Sequence, residues 1–316
     1  MSEMIAPRDV FSETILKLRR QHDNIVVLDA DVLPSNKLRS FAEEFPNALV
    51  QVGIAEQNMV GIAAGLSTID IVPFATTFAC FLSRRAYDQV TLSVAYPKLN
   101  VKLVGTYCGL FSGKNGATHQ SLEDIAIMRA LPNMVVLVPA DAIETEQMTR
   151  FCYSYNGPVY FRIPRDPIPD LIPPDYKYQL GKSTTLRQGR DASIISIGVM
   201  THLGLQAAEE LRDVGINVKV INMSTVKPID NKAIIDCARQ TGAIVTVENH
   251  NIVGGLGSAV AEVLGENFPV PFKRIGVEDR FGKSGTNEQM MEYFGLTVGN
   301  IKQTVLDIIK RKSKKE

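Results

Sequence analysis

The chain has 316 residues, 45% of them hydrophobic, which is long enough for two domains with separate cores. Its 34 basic and 34 acidic side chains cancel. No overall field therefore draws it to nucleic acid or to an anionic membrane surface.

The opening MSEMIAPRDV has neither the charged segment nor the apolar run of a signal peptide. No apolar run approaches the roughly 20 residues of a membrane span. Short runs rich in branched residues predict strands at 25–28, 49–52, 69–74, 101–105, 134–138 and 159–163. Between them, helical spacing of apolar residues predicts helices such as 55–66 and 78–95. Residues 166–190 carry Pro167, Pro169, Pro173 and Pro174 and then polar residues, a pattern expected of a linker. A second alternating series follows, with strands at 192–197, 217–221 and 243–247 and helices at 201–214 and 232–240. The final KRKSKKE reads as a solvated helix end. Near-continuous apolar strands alternating with helices imply parallel sheets covered on both faces. The expected fold is α/β, with two doubly wound domains at 1–170 and 191–316 and a linker at 171–190. Cys80, Cys108, Cys152 and Cys237 are far apart, with no CxxC pair. They read as small core residues in a reducing cytoplasm, and no metal site is expected on this chain.

In such sheets ligands sit beyond the carboxyl ends of the strands. That rule points to the loops at 29–31, 53–56 and 106–120. Glu56 starts an apolar helix, where a carboxylate either complements the helix dipole or, in apolar surroundings, serves proton transfer. Phe78 and Phe81 are three apart and share a helix face, as core packing or as a flat wall for an aromatic ligand. His119 lies in a loop with Gly109, Gly113 and Gly116, just before a helix expected to start at Ser121 and Asp124.

Six segments, in order, resemble the C-terminal two-thirds of transketolases. They are ADVLPSN (30–36), GIAEQNMVGIAAGLS (53–67), PFATTFACFLSRRAYDQV (73–90), GKNGATHQSLEDIAIMRALPNM (113–134), GPVYFRIPRD (157–166) and VENHNIVGGLGSAV (247–260). The resemblance runs from about Ala6 to the end. It implies a pyrimidine-binding domain and a transketolase C-terminal domain, with thiamine diphosphate as cofactor. Glu56 matches the glutamate that hydrogen-bonds the aminopyrimidine ring and so activates the cofactor, which requires a buried carboxyl that holds or shares a proton. Phe78 and Phe81 match aromatic residues packed on that ring, and Asp31 matches an acidic residue near it. His119 matches a histidine contacting donor hydroxyls. Arg8, Ser35 and Arg165 match residues holding the sugar phosphate, a task for which the planar, permanently charged guanidinium is suited.

Three positions depart from the family pattern. A common tyrosine stands here as Arg84. A phosphate-contacting histidine stands as Tyr107. The acidic residue of the GEDG loop, which recognises a donor hydroxyl, stands as Asn115 beside Lys114. The family's GDG segment, which with a later Asn holds Mg2+ and the diphosphate, does not occur in this sequence. The run VGGLGS lacks a P-loop lysine and reads as a helix-start turn at a subunit interface. The resemblance therefore implies a split transketolase. Its partner would be an N-terminal diphosphate-binding subunit carrying the Mg2+ ligands, in an α2β2 heterotetramer acting on sugar phosphates. The alternatives are the β subunit of a 2-oxoacid dehydrogenase decarboxylase, a deoxyxylulose-phosphate-synthase-like enzyme, and a non-catalytic scaffold subunit.

Overall fold

The computed structural model describes residues 4–112 and 115–313. A short strand β1 (Met4–Ile5) leads into α1 (Pro7–Gln21). Proline opens this helix, where its missing N–H removes no helical bond, and Phe11, Ile15 and Leu18 fall on its buried face. Next come β2 (Ile25–Asp29), α2 (Arg39–Glu44), β3 (Leu49–Gln51), α3 (Glu56–Leu66), β4 (Val72–Phe78) and α4 (Ala79–Arg85). A single turn, α5 (Tyr87–Gln89), runs into a π-helical stretch, Val90–Ala95. Then follow β5 (Lys102–Thr106), α6 (Asp124–Ala130), β6 (Val135–Leu137), α7 (Ala142–Ser154), β7 (Val159–Ile163) and β8 (Ile168–Pro169).

The remainder comprises β9 (Thr184–Arg187), β10 (Ala192–Ser196), α8 (Met200–Arg212), β11 (Val218–Asn222), β12 (Thr225–Lys227), α9 (Asn231–Thr241) and β13 (Ile244–Asn251). It closes with α10 (Leu256–Asn267), β14 (Phe272–Val277), α11 (Asn287–Phe294) and α12 (Val298–Ser313). The basic tail thus begins inside a helix, and its last three residues, 314–316, lie outside the described residues.

Seven strands form one sheet in the order β12-β6-β7-β5-β4-β2-β3, parallel except for the β12–β6 pair. Five form a second sheet, β14-β13-β10-β11-β9, parallel except for β9. β1 and β8 pair antiparallel. Helices cover the sheets, and the architecture is the expected α/β class. One apolar cluster runs from Leu28, Met59 and Leu103 beside the first sheet to Ile195, Ile221 and Ile244 of the second. All four cysteines are buried and unbridged.

Where the elements differ from expectation, local backbone conformation or a distant bonding partner accounts for the difference. The strand expected at 69–74 starts at Val72, because Asp70 takes a left-handed conformation that ends a 3-10 turn. It then runs through Thr76 and Thr77 to Phe78, all buried. Thr76 satisfies its hydroxyl by donating to the Leu28 carbonyl at 2.9 Å. The helix expected at 78–95 is interrupted at Ala86, where φ −108° and ψ 13° leave helical geometry. The strand expected at 243–247 extends through Asn251. The helix expected from Ser121 begins at Asp124 without a side-chain cap, because Ser121 instead forms a backbone bridge with Gly109. Within 171–190, β9 joins the second sheet. Further on, β12 adds an edge to the first sheet.

Glu144 ties α7 to the second sheet. Its Oε2 accepts from the Ala140 N–H at 2.8 Å and from Asn222 Nδ2 at 2.9 Å, and its Oε1 accepts from the Tyr176 hydroxyl at 3.1 Å. Burial pushes this carboxyl up to about 7. The folded chain therefore holds a proton there that the unfolded chain releases near the ordinary carboxylate value. The resulting stability is fully present below that value and is lost as pH rises through about 7. Urea unfolding of wild type and Glu144→Gln at pH 5 and pH 8 tests this. The wild type should lose stability relative to the variant between the two, and parallel pH dependences would refute the assignment.

Candidate functional site

Because β2, β3, β4, β5 and β7 are parallel, their carboxyl ends open on one edge, and the candidate residues are carried there. Glu56 is the first residue of α3, after a turn in which Gly53 takes φ +71°. Its side chain is 4% exposed, and its Oε1 accepts from Arg85 Nη1 at 2.7 Å. The sequence reading anticipated an apolar setting for this carboxylate; the structure instead seats it against a guanidinium.

Phe78 closes β4 and Phe81 lies in the first turn of α4, with ring centroids 5.6 Å apart. Tyr107, just past β5, has φ 54°, an unusual conformation for a bulky residue. Its ring thereby stacks on Phe78 at 4.2 Å. His119, in the 3-10 turn Ala117–His119, sets its ring edgewise to Phe81 at 5.1 Å and to Phe78 at 6.2 Å. Thr118 Oγ1 lies 2.9 Å from its Nδ1.

The guanidiniums of Arg8 and Arg165 stand 5.5 and 5.3 Å from the Tyr107 ring centroid. Arg8 Nη1 donates to the Tyr107 hydroxyl at 2.6 Å and to the Ser35 carbonyl at 3.4 Å. Four segments distant in sequence thus supply two cations and a phenol to one spot. The Nε atoms of Arg8 and Arg165 and Nδ2 of Asn36 are buried without a hydrogen-bond partner among the described residues. Each of those Nε atoms also stands near a neighbouring carboxylate, Asp9 at 3.6 Å and Asp166 at 3.7 Å. A buried carboxylate, stacked rings and two guanidiniums together suit a flat heteroaromatic ring beside an anion.

Two candidates lie outside this cluster. Asp31 is exposed in a left-handed conformation, and its backbone N–H donates to Gln51 Oε1. The buried carboxylate in that loop is Asp29, which accepts from the Val32 N–H at 2.9 Å and from Gln51 Nε2 at 2.8 Å and is raised by burial. Asn115 is exposed, while Gly113 and Lys114 lie outside the described residues. Arg84 pairs with Glu123 and donates to the Gln120 carbonyl at 2.9 Å. It lines a cavity of about 410 Å³ with Gln120, Glu123, Asn251 and Arg280. Among the described residues no group of His, Cys, Asp or Glu is arranged to hold a metal ion, and no helix is long and apolar enough to cross a membrane.

The second sheet holds the histidine loop in place. Asn249 Oδ1 accepts from the Leu110 N–H at 2.9 Å, and only glycine fits at 109, since a Cβ there would meet Asn249 at 2.4 Å. Asp124 Oδ2 accepts from the Tyr160 hydroxyl and from Arg162 Nε, both at 2.7 Å. Arg162 Nη2 donates to the carbonyls of Ser121 and Asn249. Burial alone would raise the Asp124 carboxyl, but Arg162 and His250 outweigh it and hold it below the ordinary value. The run VGGLGS is indeed a turn into a helix, α10, whose first N–H groups donate to Glu248 rather than to a phosphate. The sequence assigns no role to Arg85 or Asn36; Asp29 enters there only as the start of the 29–31 loop, and Asp124 only as part of a helix start, not as the centre of a buried network.

The family description "Transketolase, pyrimidine binding domain" matches residues 3–169, and "Transketolase, C-terminal domain" matches 181–301. The chain is 43% identical to a 6-deoxy-6-sulfo-D-fructose transketolase subunit of Clostridium sp. (strain MSTE9), over 97% of this chain and 95% of that protein. It is 40% identical to an apulose-4-phosphate transketolase subunit of Phocaeicola vulgatus, over 98% of this chain and 99% of that protein. A solved split gene transketolase, described as an inactive beta4 tetramer, superposes with a TM-score of 0.91 at 43% identity, covering 98% of this chain and 99% of that one.

Removing Asp124 leaves the buried Arg162 without its carboxylate. Asp124→Ala should cost about 3–5 kcal/mol of stability in urea unfolding. A loss below about 1 kcal/mol would mean that the network does not hold the loop.

Proposed function

Since the chain belongs to the transketolase family, among the subunits of the split kind, we propose that it is the pyrimidine-binding half of a thiamine-diphosphate-dependent transketolase. It transfers a two-carbon ketol unit between sugar phosphates or related sugar anions. The observation that carries this reading is the convergence of Glu56, Phe78, Phe81 and His119 with Arg8, Tyr107 and Arg165 on one sheet edge. Thiamine diphosphate, when bound, supplies the reactive carbon and the electron sink.

This chain's residues do the rest of the work on their side of the site. Glu56 would hydrogen-bond the pyrimidine ring nitrogen, and Phe78 and Phe81 would pack against that ring. Asp31, outside that cluster, is set beside the cofactor by the family resemblance alone. His119 and Asn115 hydrogen-bond hydroxyls of the sugar donor and orient it. Arg8, Ser35, Tyr107 and Arg165 hold the terminal anion. Mg2+ and the diphosphate fall to a partner subunit, in keeping with the lack of a GDG segment here. The assembly is an α2β2 heterotetramer in the cytoplasm. The arginines around Tyr107 favour a sugar anion over the simple oxoacid of a dehydrogenase component, and the names of the relatives point the same way.

Ketol transfer from xylulose 5-phosphate to ribose 5-phosphate, with thiamine diphosphate and Mg2+, should appear only when this chain is mixed with its diphosphate-binding partner. Glu56→Gln should then lower kcat by roughly 10²–10⁴-fold. A variant mixture as fast as wild type would leave a scaffold role as the better account. Asn115→Asp should change the ratio of kcat/KM among 2-hydroxy ketose donors; an unchanged ratio removes Asn115 from donor recognition.

A further inference from the structure

One side chain covers both surfaces on which the proposed function seats the pyrimidine. Arg85 donates to Glu56 Oε1 at 2.7 Å, and its guanidinium carbon lies 4.0 Å from the centroid of Phe81. A guanidinium is flat, cationic and rich in donors, so it offers the carboxylate and the ring what a protonated aminopyrimidine would offer. Glu56 is buried with Arg85 in place, whereas Arg85 itself is 45% exposed.

The helix breaks next to this side chain. Arg85 is the last residue of α4, and Ala86 after it has left helical geometry. Its neighbour Arg84 is committed elsewhere, to Glu123 and the Gln120 carbonyl. The two adjacent arginines therefore differ in kind. Arg84 braces the loop before α6, while Arg85 rests on the candidate site.

We infer that Arg85 is a built-in occupant of the pyrimidine subsite, which swings out when the cofactor enters and so sets its affinity. This rests on the function proposed above. Before the cofactor binds, the arginine keeps the Glu56 carboxylate paired and the Phe81 face covered. Binding then exchanges one flat hydrogen-bonding partner of Glu56 for another.

The test is calorimetric titration of thiamine diphosphate, with Mg2+, into the complex of this chain and its diphosphate-binding partner. Arg85→Ala should bind roughly threefold to tenfold more tightly than wild type, the range expected for losing one part-buried ion pair and one cation–π contact. Arg85→Lys keeps the charge without the flat fork and should fall between them. If the wild-type complex binds and neither variant binds more tightly, the occupant role is wrong. Weaker binding by both would make Arg85 a cofactor contact instead, which also overturns it. A wild-type complex that binds no cofactor overturns the proposed function and this inference with it. Should Arg85→Ala fail to assemble, Arg85→Lys decides alone, since tighter binding is expected of it and equal or weaker binding is not.

Discussion

The carboxylate of Asp124 sits where three pieces of chain from distant parts of the sequence meet. It is fully buried, and it takes hydrogen bonds from Tyr160 and Arg162 of β7. Arg162 passes the connection on to Ser121 at the end of the histidine loop and to Asn249 of β13. A buried charge is tolerable only when its partners are present, and here both hydrogen bonds fall on Oδ2 while, among the described residues, Oδ1 has only His250 Nε2 at 3.9 Å. That requirement fixes the first sheet, the second sheet and the loop between them in one arrangement. Within the loop that ends at Ser121, His119 lies against Phe81.

Two buried glutamates reach helix N-termini from different places, Glu56 as the first residue of α3 and Glu248 from strand β13 across to the start of α10. Glu248 and Glu56 both complement the positive end of a helix. Glu248 is sealed inside, accepts the N–H groups of Leu256 and Gly257, and is pushed up to about 7 by burial. Gly255 permits this, since a Cβ there would meet the carboxylate at 2.0 Å. Glu56 faces the open edge of the sheet and meets a half-exposed arginine instead. Glu248 serves the fold. Glu56 is the one that the proposed function gives to a ligand.

The aromatic floor of the site is built by backbone geometry as much as by side chains. Phe78 sits where β4 gives way to α4, and Tyr107 is turned onto it by its own left-handed backbone just past β5. Backbone strain of this sort, of order 1–3 kcal/mol, persists where surrounding structure over-determines it. Here the Arg8 hydrogen bond and the stack on Phe78 supply that constraint.

Local pattern was enough to establish the α/β class, the strand at 159–163, the helix carrying Glu56, and the loops that reach the ligand edge. Period and branching are properties of neighbouring residues, and parallel strands oblige their carboxyl ends to converge. The resemblance of six short segments added the family. Only the tertiary structure decided which polar groups pair. Arg85 reaches Glu56 across 29 positions and Arg162 reaches Asn249 across 87. It also decided that Asp29 is the buried acid of its loop while Asp31 faces solvent, that the helix after Phe78 breaks at Ala86, and that β12 completes a sheet begun about two hundred residues earlier. Each of these depends on what distant chain brings alongside. Hydrogen-bond satisfaction and burial are settled there, and no window of neighbouring residues contains that information.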